Sequence, residues 1–132
     1  PKRILSDLPR YKNLSETMVL PFDSVKDSFS SQLNLSKFRN FGLVIKRREF
    51  SFNSTGAVLS KPLGLAYALA IANSGRARKV FLAGVDGYAS DDSRNADLEE
   101  LISLYIKNQE TVAITSITPT ILNLDVTSVY AF

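Results

Sequence analysis

The chain has 132 residues, 45% of them hydrophobic and 22% charged, and a formal net charge of +3. That length supports one domain with a sizeable core, and the composition is ordinary for a globular protein. With no Cys and no His, disulfides, thiolate nucleophiles and Cys-ligated metal centres are excluded, and the commonest general base is missing.

The charge is unevenly spread. Residues 1–79 hold 14 Lys/Arg and 5 Asp/Glu, a net +9, whereas residues 80–132 hold 2 and 8, a net −6. Lys46-Arg47-Arg48, followed by Phe50 and Phe52, is the nearest approach to a nucleic-acid surface. Its simpler reading is a solvated strand end, so no nucleic-acid partner is expected. No apolar run reaches the roughly 18 residues of a membrane span, and PKRILSDLPRYK lacks the apolar core of a signal peptide. No membrane partner and a cytoplasmic location are expected. The start at Pro1, without Met, suggests a piece excised from a larger protein.

In chain order, residues 1–16 read as a short helical turn and loop. Residues 17–20 (TMVL) form a strand that Pro21 stops. Residues 22–40 are Ser-rich and read as irregular, with one helical turn. Residues 41–46 (FGLVIK) predict a strand, and 49–52 (EFSF) a strand or extended segment with its two Phe at period two. Asn53-Ser54-Thr55-Gly56 then reads as a turn able to present hydroxyls and free N–H groups to an anion.

A helix is predicted from Pro62, well suited to the first helical position, to a stop at Gly75. Apolar residues surround it, which predicts burial on all sides, with the Ala residues and Gly64 letting it approach a sheet closely. Residues 80–85 (VFLAGV) show no alternation and predict a strand covered on both faces. Residues 95–107 predict a second helix, capped by Asp92 or Ser93, with Leu98, Leu101, Ile102 and Tyr105 as its buried stripe. Residues 111–117 predict a strand ended by Pro119, and 126–130 a last short element. Strand, helix, strand, helix and strand over 41–117 predict βαβ crossovers, hence an α/β, Rossmann-like, mostly parallel sheet with flanking helices.

Such sheets take ligands beyond the carboxyl ends of their strands. Asp86, between Gly84 and Gly87, stands there. Its carboxylate can accept hydrogen bonds from sugar or ribose hydroxyls, hold a cation, or merely cap the next turn. Tyr88 can donate to a phosphate oxygen or sit as a rim aromatic. Asp91-Asp92 could ligate a hard cation, but reads better as a helix cap. Ser116 and Thr118 would share the edge with Asp86 if the two strands run parallel, and Ser54, Thr55 and Gly56 are its candidate neighbours. No Walker, dinucleotide-binding, nucleophile-elbow or HExxH motif occurs.

Ala70-Ile71-Ala72, Gly75 and VFLAGVDGY (80–88) are similar to the nucleotide-binding core of small bacterial sialyltransferases. Those enzymes have a Thr/Ser-Gly signature where Lys61-Pro62-Leu63 stand, and a His base that this chain lacks. Over a longer span, PLGLAYALAIANSGRARKVFLAGVDGY, DDSRNADLEEL, SITPT and TSVYA resemble the C-terminal extension of bacterial aldolases of the 4-hydroxy-2-oxovalerate aldolase and hydroxymethylglutaryl-CoA lyase type, of surface-polysaccharide gene sets. This resemblance implies an accessory domain behind an N-terminal TIM barrel, lacking some upstream strands. Catalysis and a divalent metal would belong to that barrel, and a nucleotide, nucleotide-sugar or related phosphorylated ligand to this domain. Alternatives are an assembly or dimerisation module with a vestigial pocket, and an active glycosyltransferase. No catalytic or metal-binding residue is expected within the chain itself.

Overall fold

The computed structural model describes residues 17–25 and 35–131; the turn expected within 1–16 lies outside them. The elements are β1 (Met18–Leu20), α1 (Phe22–Val25), β2 (Phe38–Asn40), β3 (Gly42–Ile45), β4 (Phe50–Phe52), β5 (Gly56–Leu59), α2 (Gly64–Ser74), β6 (Val80–Leu82), α3 (Arg94–Lys107), β7 (Ile114–Ser116) and β8 (Asp125–Val126), with 3₁₀ turns at Leu35–Lys37 and Val129–Ala131. This is a mixed α/β fold whose sheets are rich in parallel pairs.

One parallel sheet over 41–117 is not what forms. β3, β5 and β4 make one sheet, in that order, and β6, β7 and β8 a second; β1 pairs with β2 separately. The cause is β5, a strand that begins at the last residue of the predicted 53–56 turn and runs through residues for which no element is predicted. Ala57 and Leu59 are buried while Gly56 and Val58 are half-buried, the period-two pattern of a strand. β5 runs parallel to β3 and antiparallel to β4, so α2 connects β5, not β3, to β6. Gly42 and Gly56 lie opposite each other in that ladder. A Cβ on Gly56 would stand 2.8 Å from the Gly42 carbonyl oxygen, which is why this position tolerates no side chain.

α2 starts two residues after Pro62. The Leu63 N–H bonds back to the Lys61 carbonyl at 2.8 Å, bending the chain across Pro62 before the helix begins. Only one face is covered: Ala66, Leu69, Ala70 and Asn73 are buried and Ala68 is exposed. α2 packs on β4 and β5, with Ala66 and Ala70 buried; a Cβ at Gly64 would meet nothing, so Gly64 has no role in a close approach. At the other end the Arg76 N–H bonds the Asn73 carbonyl (2.9 Å) and the Ala77 N–H that of Ala72 (3.0 Å), the Schellman pattern. The left-handed residue of that motif is Arg76 (φ 57) rather than Gly75 (φ −74). Arg76→Gly is therefore expected to raise stability by about 0.5–1 kcal/mol, the strain of an L-residue there outweighing the entropy of an added glycine. Urea unfolding checks it; a loss of stability would refute the assignment.

β6 is shorter than predicted and covered on one face: Leu82 is 6% exposed, Phe81 42%. From β6 the chain crosses through α3 to β7, which pairs with β6 in parallel, and β8 pairs in parallel with β7. Leu98, Leu101, Ile102 and Tyr105 of α3 are buried as expected. They join Phe41, Phe50, Leu59, Leu69, Leu82 and Ile114 in one core shared by both larger sheets. Each such side chain contributes roughly 1.5–3 kcal/mol on burial.

Candidate functional site

Leaving β6, the backbone turns through two glycines of positive φ, Gly84 (69°) and Gly87 (100°). The left-handed region suits residues without a Cβ. This loop is laced to residues 116–121. The Ile117 N–H bonds the Leu82 carbonyl (2.9 Å), and the Ile121 N–H the Asp86 carbonyl (3.0 Å). The Thr120 hydroxyl donates to the Val85 carbonyl at 2.7 Å. Thr118 sits at the centre: its Oγ1 accepts the Gly84 N–H at 2.9 Å and donates to Asp86 Oδ1 at 3.3 Å. Asp86 is exposed, and its Oδ2 has no partner among the described residues.

Ser116 stands beneath. It is 1% exposed, and its hydroxyl donates to the Thr118 carbonyl at 2.7 Å. It therefore positions Thr118 instead of reaching a ligand, and it has no base to activate it as a nucleophile.

The outer wall is built on the start of α3. Buried Asn95 accepts the Tyr88 N–H on Oδ1 (2.8 Å) and donates to the Ala89 carbonyl (2.8 Å). The Arg94 guanidinium lies 3.8 Å from the Tyr88 ring centroid, a cation–π contact. It is also clamped by Asp92, with Nε 3.0 Å from both carboxylate oxygens and Nη2 2.5 Å from Oδ2. Asp92 Oδ1 further accepts the Arg94 N–H at 2.9 Å, so it caps α3 as the sequence suggested. Arg94, through its side chain and then its backbone, pulls the Asp92 carboxyl down to about 2.

No family model, curated protein sequence or solved structure matches this chain. Its site therefore rests on geometry.

Gly84, Asp86, Ser116 and Thr118 lie on one edge, because β6 and β7 are parallel and adjacent, while Gly87 and Tyr88 continue the loop towards Ile121 and Asn95. Ser54, Thr55 and Gly56 do not join them. They close the β4–β5 hairpin, where Asn53 Oδ1 accepts the Thr55 N–H (2.8 Å), the Thr55 hydroxyl (2.9 Å) and the Gly56 N–H (2.9 Å). The N–H groups expected to be free for an anion are consumed by the Asn53 side chain. The turn is also tied to the C-terminal end of α2, where the Ser74 hydroxyl donates to the Asn53 carbonyl at 2.7 Å.

Asn95, Arg94, Thr120 and Ile121 were missed. Asn95 alone carried a signal, an amide on the otherwise apolar stripe of α3 three residues before Leu98. Among the described residues no group of three acidic side chains converges on a metal-sized space. Asp86 presents one open carboxylate oxygen, and the Thr118 hydroxyl holds the other.

Proposed function

We propose that this chain is a ligand-holding α/β domain of Rossmann-like kind, taking the ribose or sugar hydroxyls of a nucleotide, nucleotide-sugar or related phosphorylated ligand at Asp86. The observation that carries this is the Thr118 hydroxyl, which joins the Gly84 N–H to Asp86 Oδ1 and leaves Oδ2 open. A carboxylate fixed through one oxygen is pre-organised to accept hydrogen bonds from hydroxyls with the other. The phosphate part lies off this edge, since Asp92 already occupies the start of α3 where an anion would settle. The resemblance to aldolase extensions supports an accessory role beside a metal-dependent barrel of the same protein.

Thermal unfolding with a panel of nucleosides, nucleotides and nucleotide-sugars tests the reading. At least one member raises Tm, and both Asp86→Ala and Thr118→Val abolish the rise. A panel without effect, or a rise that survives Asp86→Ala, rejects it.

One observation favours a second reading, an assembly module. Ile121 (61% exposed), Val126 (58%), Val129 (55%) and Tyr130 (93%) place apolar surface at and around β8, an edge strand of its sheet. Light scattering that finds a dimer, broken by Val126→Lys with Tyr130→Ser, would replace the first reading with this one.

A further inference from the structure

β3 and β5 end side by side, with Ile45 opposite Leu59, at a carboxyl edge other than that of Asp86. Residues 46–49 then cross this edge from β3 to β4. The Lys46 N–H bonds the Leu59 carbonyl at 2.9 Å, and the Arg48 N–H bonds Ser60 Oγ at 3.0 Å. Arg48 has left-handed backbone, φ 59, so the loop is held in a defined saddle. Facing it, α3 contributes Glu100, Ser103 and Lys107, residues on one side of a helix by their spacing. Between loop and helix is a groove of about 590 Å³, bounded by Arg47, Arg48, Ser60 and Lys61 together with those α3 residues, the Glu100 carboxylate included.

The charges around this groove are sorted. Lys46 is paired with Glu49 at 2.6 Å, and Lys61 with Asp97 and, at 3.5 Å, with Glu100. Glu100 also accepts the Ser60 hydroxyl at 2.7 Å. Ser60 first, then Lys61, lowers its pKa, so it stays an anion that is already matched. Arg47, Arg48 and Lys107 have no acidic partner among the described residues. The acids neutralise the flanking lysines and leave three cations facing one space.

We propose that this groove is a second binding site, for a small phosphate-bearing molecule. Arg47 and Arg48 supply guanidinium forks that match phosphate oxygens bidentately, Lys107 a third positive charge and Ser103 a hydroxyl donor. Three unmatched cations suit a di- or trianionic phosphate; a single carboxylate would leave two of them unanswered. The volume lies within the range of small-molecule sites, and the carboxyl edge of parallel strands is where open α/β sheets hold ligands. The site shares no residue with the Asp86 edge.

Titration of the whole chain with inorganic pyrophosphate, followed by ¹⁵N NMR, tests it. Saturable shifts are expected at the amides of 47, 48, 103 and 107. Binding weakens at least tenfold in Arg48→Gly, which keeps the left-handed backbone and hence the fold, and in Arg47→Gln, and changes less than twofold in Asp86→Ala. Asp86→Ala thus separates the two sites, since it abolishes the nucleoside response alone. Absent shifts, equal shifts with chloride at matched ionic strength, or unchanged affinity in the combined Arg47→Gln and Arg48→Gly variant would each overturn the proposal.

Discussion

Tyr105→Ala is expected to lower stability by about 4 kcal/mol, within the range for truncating a buried aromatic. Tyr105 is 1% exposed and packs edge-on to Phe50 with ring centroids 5.3 Å apart. Its hydroxyl donates to the Val112 carbonyl at 2.8 Å and accepts from Asn73 Nδ2 at 2.9 Å. Asn73, also buried, accepts the Val112 N–H at 2.8 Å and donates to the Leu69 carbonyl at 2.7 Å. Three elements, α2, α3 and the approach to β7, meet at these two side chains. Burial raises the phenol pKa despite the Asn73 hydrogen bond, so the hydroxyl keeps its proton for Val112. Tyr105→Phe retains the ring but leaves the Val112 carbonyl and one Asn73 amide N–H without their partner, and so loses only about 1–3 kcal/mol. Urea unfolding of both variants measures the pair. Equal losses would mean that the hydroxyl's hydrogen bonds alone matter and the ring's packing does not; a loss under 2 kcal/mol for Ala would mean that the cavity collapses.

Gly87→Ala is the second large effect, a loss of about 2–3 kcal/mol coupled to loss of the nucleotide response. At φ 100 a residue with a Cβ carries about 1–3 kcal/mol of backbone strain. The added methyl would also stand 2.4 Å from Ile121 Cγ1 and 2.5 Å from Cδ1. Ile121 is exposed and its side chain can rotate away, so strain dominates. The backbone of Ile121 holds the Asp86 carbonyl, however, and any shift there moves the candidate carboxylate. Adding Ile121→Ala removes the clash but not the strain, and is expected to recover less than half of the lost stability. Full recovery would assign the effect to the clash. A Gly87→Ala protein of unchanged Tm would show that the loop adopts another turn.

The two helices were legible for different reasons. The α3 stripe recurs at the helical period against polar neighbours, so its buried face could be named residue by residue. α2 is apolar all round, so its sequence marks a helix without saying which face is covered; the sheet beneath it chose Ala66, Leu69, Ala70 and Asn73. β5 hid because GAVL is short and follows a turn. Its strand pairing depends on Gly42, fourteen residues back in the chain, accepting a backbone with no Cβ opposite it.

For the site, local sequence was enough to mark residues 84–88: an apolar run breaking into Gly, Asp and Gly announces a strand end and a turn. Thr118 and Ser116 could be placed on the same edge once β6 and β7 were read as parallel. Other features belonged to the tertiary structure alone. The Ser74 hydroxyl ties α2 to the 53–56 turn, Asn73 and Tyr105 meet across α2 and α3, and Arg47, Arg48 and Lys107 converge from a loop and a helix far apart in the chain. Periodicity and turn chemistry are local and can be read along a chain. Which donors are already satisfied, and which like charges face one space, depends on partners that only packing brings together.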